Sequence, residues 1–133
     1  MSINIQRNQK KRVVIVGGGL GGLRLAEDLY GSGMQVVLID KNNFHQFPPL
    51  IYQIASAGID PSSISFPFRQ IFRKRKDFYF RMAEARMIDT DKKILQTSIG
   101  KIDYDYLVLA AGATTNFFGN RNIEEWAIPM KTV

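Results

Sequence analysis

The chain has 133 residues, 45% of them hydrophobic, which is enough for a single domain with its own core. It contains no cysteine and one histidine, so disulfides, thiolate metal sites and a catalytic thiol are excluded within these residues, and no metal site is expected. The formal net charge is +6, and no apolar stretch approaches the roughly 20 residues that a membrane-spanning helix requires.

The first strong signal is a run of β-branched residues, 13–16, that ends in a glycine-rich turn and then enters a helix. In this G-x-G-x-x-G pattern, Gly17 allows a tight turn, Gly19 lets the backbone approach a pyrophosphate and Gly22 lets the helix pack closely on the strand. The first N–H groups of the helix then point at the phosphates. The alternative is a strand–helix–strand unit in which the glycines serve close packing alone.

A second apolar strand, predicted over 35–40, ends in Asp40, at about the interval from the turn at which an acid meets a ribose hydroxyl. Between the two strands, residues 20–30 have apolar side chains at helical spacing, and Gly31 and Gly33 end that helix. Because a carboxylate repels a 2′-phosphate, NADP is disfavoured at this site. The turn does not separate FAD from NAD, since both contain ADP.

The middle of the chain, 41–65, is predicted to be irregular because prolines and a glycine interrupt it. A short helix is expected over 50–57. Asp60 or Ser62 is expected to cap a further helix, which Pro67 interrupts or delays.

Short strands are predicted next, at 78–82 and 94–99, with turns at 89–91 and 100–101. We expect them to form a small antiparallel β-meander inserted into the parallel sheet.

The last predicted strand, 104–113, is apolar along most of its length and ends in small residues. A buried parallel strand of this kind brings bare backbone to the carboxyl edge of the sheet, where nucleotides bind. Gly112 can also adopt angles that a larger residue would resist. The alternative is an ordinary core strand followed by a turn.

The positive charge is concentrated in two clusters, which could bind an anionic membrane surface weakly or be simply solvated. No aromatic pattern of the RNA-binding type accompanies them, so no nucleic-acid partner is expected. The first cluster comprises Arg7, Lys10, Lys11 and Arg12, and the second comprises Arg69, Arg73, Lys74, Arg75 and Lys76.

The glycine turn at 17–22, Asp40 and the strand end at 106–113 together resemble the N-terminal part of the two-dinucleotide-binding flavoproteins. More narrowly, the segment 39–55, IDKNNFHQFPPLIYQIA, resembles the type II NADH:quinone oxidoreductases. Those proteins are single-subunit respiratory dehydrogenases on the membrane surface that do not pump protons. The similarity runs from about residue 12 to residue 133.

The resemblance implies an α/β fold with a Rossmann-like parallel sheet, FAD as the cofactor, NADH as the electron donor and a membrane quinone as the acceptor. It also implies a cytoplasmic protein, peripheral on the inner face of the cell membrane, and leaves a homodimer open. By this resemblance, the pyrophosphate contacts Gly17, Gly19, Gly21 and Gly22, and the ribose is bound by Asp40. Lys41 lies beside the adenosine, and Ala85 contacts the adenine. The isoalloxazine lies near Pro49, Leu50, Gly112 and Ala113.

No acid–base residue is needed for hydride transfer to a flavin, so no catalytic residue is assigned. His45 and Tyr52 lie in the family-like segment, and a packed loop histidine is favoured over a catalytic acid. Flavin disulfide reductases have a C-x-x-x-x-C pair at this point, where the present chain has no cysteine, and their dithiol chemistry is excluded for these residues. Alternatives are a sulfide:quinone oxidoreductase, a simple NAD-dependent dehydrogenase and a non-catalytic dinucleotide-sensing module.

Members of this family continue with an NAD(H)-binding Rossmann domain and a C-terminal part that contacts membrane and quinone. The segment 126–133 resembles a chain crossing towards that second domain. We therefore interpret residues 1–133 as an N-terminal portion of an FAD-binding domain of a longer flavoprotein. Alone, these residues are expected to be inactive and to hold FAD weakly.

Overall fold

The computed structural model describes residues 2–131, so Met1 and the final two residues, which belong to the predicted crossing segment, lie outside the described part. The helices are α1 (Leu20–Asp28), α2 (Ile51–Ala55), α3 (Phe68–Ile71) and α4 (Arg121–Trp126), with single 3₁₀ turns at Pro48–Leu50 and Pro61–Ile64. The strands are β1 (Arg12–Val16), β2 (Gln35–Asp40), β3 (Phe44–Gln46), β4 (Ser65–Pro67), β5 (Phe78–Met82), β6 (Ala85–Asp89), β7 (Ile94–Thr97), β8 (Gly100–Asp103) and β9 (Tyr106–Leu109).

Four parallel strands form the central sheet in the order β5-β2-β1-β9, and this confirms the predicted Rossmann-like α/β class. The strands β1 and β2 consist largely of β-branched and other apolar residues, which suit strands covered on both faces. Val14 pairs with Val37 and Ile15 with Leu38, and all four side chains are fully buried. Their carboxyl ends meet at one edge of the sheet.

The two faces of the sheet have different cover. On one face, Ile15 and Leu38 pack with Ala26 of α1 and with Phe68 of α3. On the other face, Val14 and Val37 pack with the N-terminal segment and with Leu95 of the antiparallel sheet β6-β7-β8. The predicted β-meander is therefore present as the third layer of the fold, but it consists of β6, β7 and β8. The predicted strand 78–82 does not belong to it, because it is β5 and pairs parallel with β2 in the central sheet.

Arg12 joins these layers at the end of the sheet opposite the glycine turn. Its buried guanidinium donates to the Gln35 side-chain oxygen at 2.6 Å and to the Asp103 carboxylate at 2.7 Å. Burial lowers the pKa of the Arg12 guanidinium, and the nearby Asp103 opposes that shift. The Arg12 backbone N–H donates to Asp105 at 2.7 Å, and this hydrogen bond lowers the pKa of the Asp105 carboxyl.

Two predictions for the first half of the chain need correction. The first helix ends at Asp28 rather than at residue 30, because Leu29 already caps it and Tyr30 is exposed. The segment 41–65 is not wholly irregular, since β3 lies within it and pairs antiparallel with β4.

The short helices expected in this region are present, but the helix that Asp60 was expected to cap is divided into a 3₁₀ turn before Pro67 and α3 after it. Asp60 accepts the Ser62 N–H at 2.8 Å and caps the 3₁₀ turn Pro61–Ile64, and its hydrogen bonds with Ser62 lower the pKa of the Asp60 carboxyl. The helix expected over 50–57 is observed as α2, directly after the turn Pro48–Leu50.

Two further predictions, both in the second half of the chain, also need correction. The turn lies at residues 98–99, and Gly100 is already the first residue of β8, paired with Thr97. The last strand is β9, shorter than the predicted 104–113, and it is not fully buried: Tyr106 is 53% exposed and Leu109 is 62% exposed. The cause is its position at the edge of the described sheet, with β1 as its only neighbouring strand there.

Within residues 2–131, no helix has the length and apolar character needed to cross a membrane.

Candidate functional site

The glycine turn follows β1 directly and is held by contacts that exclude side chains. Gly17 has a φ of +103°, and a Cβ there would overlap the Ala110 carbonyl just beyond β9. Gly22 of α1 packs against the same turn. A Cβ on Gly22 would overlap the Gly17 carbonyl oxygen and lie 3.3 Å from the Ile15 side chain. These two glycines therefore let β1, β9 and α1 approach one another closely.

The next two glycines have different surroundings. A Cβ on Gly18 would overlap the Phe68 ring, whereas a Cβ on Gly19 would meet no atom within 4 Å. Gly19 is the N-cap of α1 and supplies no side-chain hydrogen bond to the first turn of that helix. The helix thus presents uncapped N–H groups beside open space, an arrangement that favours an anionic ligand.

Asp40, at the carboxyl end of β2, lies beside this turn. One carboxylate oxygen accepts the Gly18 N–H at 2.6 Å, and the other accepts the Asn42 N–H at 2.7 Å. Each oxygen of a carboxylate has two lone pairs, so both retain the capacity to accept a further hydrogen bond from a ligand. The residue joins the glycine turn to the chain leaving β2.

A cleft of about 500 Å³ lies at the carboxyl edge of the sheet and brings most of the predicted positions together. This is the place where open α/β sheets bind their ligands. Seven predicted residues line it: Gly17, Gly19, Asp40, Lys41, Ala85, Gly112 and Ala113.

Four predicted residues do not line the cleft. Gly21 is exposed on α1, and Gly22 is buried between that helix and the turn. Pro49 and Leu50 lie in the 3₁₀ turn next to the cleft, and it is Pro48 of that turn that reaches it.

Several other residues of the cleft were not predicted from the sequence. Phe44 and Gln46 of β3 lie on the same side of that strand and both line the cleft, but a strand of three residues leaves no periodicity by which the sequence could have identified them. Gly18 stood inside the motif without an assigned role. The remaining unassigned lining residues include Val16, Ile39, Asn42, Ala83, Glu84, Ala110, Ala111, Thr114, Thr115 and Lys131.

His45, between Phe44 and Gln46, does not line the cleft and is only 7% exposed. Its Nδ1 lies 3.0 Å from the Gly18 carbonyl oxygen, and its ring contacts Phe68 with a centroid distance of 6.4 Å. The position agrees with a packed histidine and places the ring beneath the glycine turn. Among residues 2–131, no cluster of three or more potential metal ligands occurs.

The two basic clusters differ in their surroundings. Every member of the first cluster is ion-paired, to Asp77, Asp103 or Asp105. In the second cluster, Arg75 lies over the rings of Tyr30 and Phe72, each 4.9 Å from the guanidinium carbon. The other four members are exposed and form no ion pair within the described residues: Arg69, Arg73, Lys74 and Lys76.

A glycine turn, an acid at the end of the second strand and a cleft at the carboxyl edge are common to many dinucleotide-binding proteins, so comparison with known families decides among them. The model of the pyridine nucleotide-disulphide oxidoreductase family matches residues 11–130 of the chain. The chain belongs to this family.

The curated oxidoreductases that resemble the chain include NADH:quinone enzymes. Type II NADH:quinone oxidoreductase NdhA of Mycobacterium tuberculosis is 35% identical over 130 residues, which cover 93% of this chain and 27% of that protein. An external alternative NAD(P)H-ubiquinone oxidoreductase of Arabidopsis mitochondria is 34% identical over 128 residues, which cover 88% of this chain and 22% of that protein. The chain thus spans about a quarter of the length of these relatives.

Two solved structures show the same fold. NDH2 of Plasmodium falciparum in complex with NADH matches with a TM-score of 0.82 and 25% identity, over 90% of this chain and 26% of that one. The sulfide:quinone oxidoreductase of Aquifex aeolicus matches with a TM-score of 0.75 and 33% identity, over 80% of this chain and 25% of that one. Both proteins therefore share the fold described above.

Proposed function

We propose that this chain is the FAD-binding portion of an NADH:quinone oxidoreductase, an enzyme that passes electrons from NADH through FAD to a membrane quinone. The observation that carries the proposal is the convergence of Gly19, the uncapped start of α1 and Asp40 on one cleft. The similarity to type II NADH:quinone oxidoreductases supports the choice of substrates.

The residues present fit the adenosine and pyrophosphate half of FAD. Space for a pyrophosphate exists at Gly19, where a side chain would otherwise stand, and the first N–H groups of α1 would donate to it. Asp40 would accept hydrogen bonds from the ribose hydroxyls, and its negative charge disfavours a 2′-phosphate there. Lys41 and Ala85 line the same cleft and would lie against the adenosine and the adenine.

The flavin half would lie towards the end of β9. Gly112, with a φ of +71°, and Ala113 line the cleft there and leave the backbone accessible. Pro49 and Leu50 would lie near the isoalloxazine, in the 3₁₀ turn whose Pro48 lines the cleft.

Bound FAD supplies the redox chemistry, since it accepts a hydride and delivers the electrons to an acceptor. The residues of this chain bind it, orient it and neutralise its phosphate charge with backbone N–H groups. We assign no proton transfer to a side chain in the cleft, nor to His45, which is buried outside its lining.

The cleft also fits three alternatives, and a specific observation favours the first of them. A sulfide:quinone oxidoreductase is supported by the Aquifex structure at 33% identity and would place its reactive cysteines in other parts of the protein. A non-catalytic dinucleotide-sensing module would need only the cleft, as would a simple NAD-dependent dehydrogenase that binds no flavin. Reduction of a bound flavin by NADH separates the proposed enzyme from all three.

We also propose that the whole protein acts at the cytoplasmic face of the cell membrane as a peripheral protein. The second basic cluster supports this location, because its exposed cations have no ion-pair partner within residues 2–131, whereas the first cluster is paired. A homodimer is compatible with this arrangement and is measurable by light scattering.

The proposed activity is tested on the full-length gene product by its visible absorbance spectrum. We expect flavin bands that bleach when NADH is added anaerobically and return when a soluble quinone follows. A protein without flavin, or one whose flavin responds to sulfide but not to NADH, would contradict the proposal.

A further inference from the structure

We propose that His45 is a positioning residue for the glycine turn: its Nδ1–H holds the Gly18 carbonyl and thereby presents the adjoining N–H groups to a bound dinucleotide. The inference rests on the proposed binding of FAD in the cleft. It assigns a role in that site to a residue outside the cleft lining, 27 positions after Gly18 in the chain.

Both polar groups of Gly18 are bound by side chains from other elements. Its N–H donates to Asp40, which ends β2, and its carbonyl oxygen lies 3.0 Å from Nδ1 of His45 on β3. The third contact is steric, because the ring of the fully buried Phe68 fills the space where a Cβ of Gly18 would stand. Three elements thus determine the orientation of one glycine.

The hydrogen bond also fixes the tautomer of His45. A carbonyl oxygen only accepts, so Nδ1 must carry a proton, and in the neutral ring Nε2 is then unprotonated. The ring is held in place by its burial, by the tilted contact with Phe68 and by the pairing of His45 with Phe66 of β4. The short β3-β4 ribbon therefore gives the imidazole a fixed support beneath the turn.

The consequence for ligand binding follows from the position of Gly18. The carbonyl that His45 binds is in the peptide unit whose N–H belongs to Gly19, the N-cap of α1 and the position with open space beside it. Fixing that carbonyl fixes the direction of the Gly19 N–H. A preorganised donor loses less conformational freedom when a pyrophosphate binds than one that must be ordered by the ligand.

The test compares three variants of the full-length gene product with the wild type: His45→Leu, His45→Asn and Thr97→Val. Leucine removes the donor, while asparagine can return an N–H near the position of Nδ1. Thr97 is a matched control, since it is also buried and donates to the Gly100 carbonyl at 2.7 Å, but it does not line the cleft.

The first measurement is the FAD dissociation constant of each apoprotein, obtained by titration. We expect His45→Leu to bind FAD at least tenfold more weakly, His45→Asn to recover most of the loss and Thr97→Val to bind like the wild type. Equal affinity of His45→Leu and wild type would overturn the inference, and so would equal losses in His45→Leu and Thr97→Val. Failure of the wild type itself to bind FAD would instead overturn the proposed function.

The second measurement is independent of FAD. Nitrogen-15 NMR of the imidazole in the wild-type protein should show a proton on Nδ1. A ring protonated only at Nε2 cannot donate to Gly18 and would overturn the inference, whatever the affinities.

Discussion

Gly22 on α1 lies so close to Gly17 that a Cβ on Gly22 would overlap the Gly17 carbonyl oxygen. The contact sets the distance between the helix and the end of β1, because Ile15 lies next to the same position. The helix start and the strand end are thereby fixed as one unit, on which the cleft is built.

A first prediction concerns this contact. Gly22→Ala should destabilise the protein by about 1–3 kcal/mol, the usual cost of overpacking a filled interior. Gly21→Ala is the matched control on the same helix, where an added methyl meets no atom within 4 Å. Because alanine is the better helix former, that variant should be as stable as wild type or more stable. Urea denaturation measures both, and equal effects would contradict the assigned packing.

A second prediction concerns Asp40. Asp40→Ala in the full-length protein should weaken FAD binding at least tenfold, because hydrogen bonds to a charged acceptor contribute about 1.5–3 kcal/mol each. The far-UV circular dichroism should stay unchanged. Asp28→Ala, on the exposed end of α1, removes the same charge away from the cleft and should leave affinity unaltered. An unaltered affinity in Asp40→Ala would show that the carboxylate does not bind the ribose.

A third prediction concerns acid stability. The Arg12 N–H lowers the pKa of Asp105 in the folded protein below its ordinary value of about 3.9. Ionised Asp105 therefore contributes stability above about pH 4, and the contribution is lost as the pH falls through the lowered pKa. Asp105→Asn should be less stable than wild type at pH 7, with a difference that shrinks in acid.

Thermal denaturation at several pH values measures this difference. The control is Asp91→Asn, at an exposed turn position after β6, which should follow the wild type throughout. A difference for Asp105→Asn that does not change between pH 7 and pH 2 would contradict the assignment.

A fourth prediction concerns the 133 residues on their own. We expect them to be nearly colourless after purification and unable to oxidise NADH, because the proposed flavin end of the cleft, at Gly112 and Ala113, is exposed. An isoalloxazine that faces water there forgoes hydrogen bonds to protein of about 1 kcal/mol each, and the loss of several weakens binding by orders of magnitude. Stoichiometric FAD with steady NADH oxidation in this chain would contradict the prediction.

Local patterns were sufficient to predict the unit from β1 to β2. Its strands are continuous apolar runs, and its helix has apolar side chains at helical spacing. Residues close together in the sequence therefore suffice to predict these elements. The β3-β4 ribbon could not be predicted in this way. Each of its strands has three residues, and the segment 47–64, with α2 and two 3₁₀ turns, separates them. Long-range pairing of such short strands leaves no periodicity to detect.

The remaining errors have physical causes of the same kind. Gly100 was predicted to lie in a turn because glycine is common there, yet it pairs with Thr97 as part of a strand, with a φ of +139°. The apolar residues of β9 predicted burial on both faces, but exposure depends on which neighbouring strand is present. At the site, the motif indicated the glycines and Asp40, whereas His45 beneath Gly18 depends on tertiary contacts alone.

The central claim is that the turn at Gly19 receives the pyrophosphate of FAD, and the most direct test is the flavin-to-protein absorbance ratio of Gly19→Val in the full-length protein. Valine fits the backbone, since Gly19 has a φ of −68°, but its side chain would fill the open space of the cleft. Arg24→Val, exposed on the same helix, is the control. We predict that Gly19→Val loses its flavin while its circular dichroism and that of the control remain like wild type; full flavin occupancy in Gly19→Val would contradict the claim.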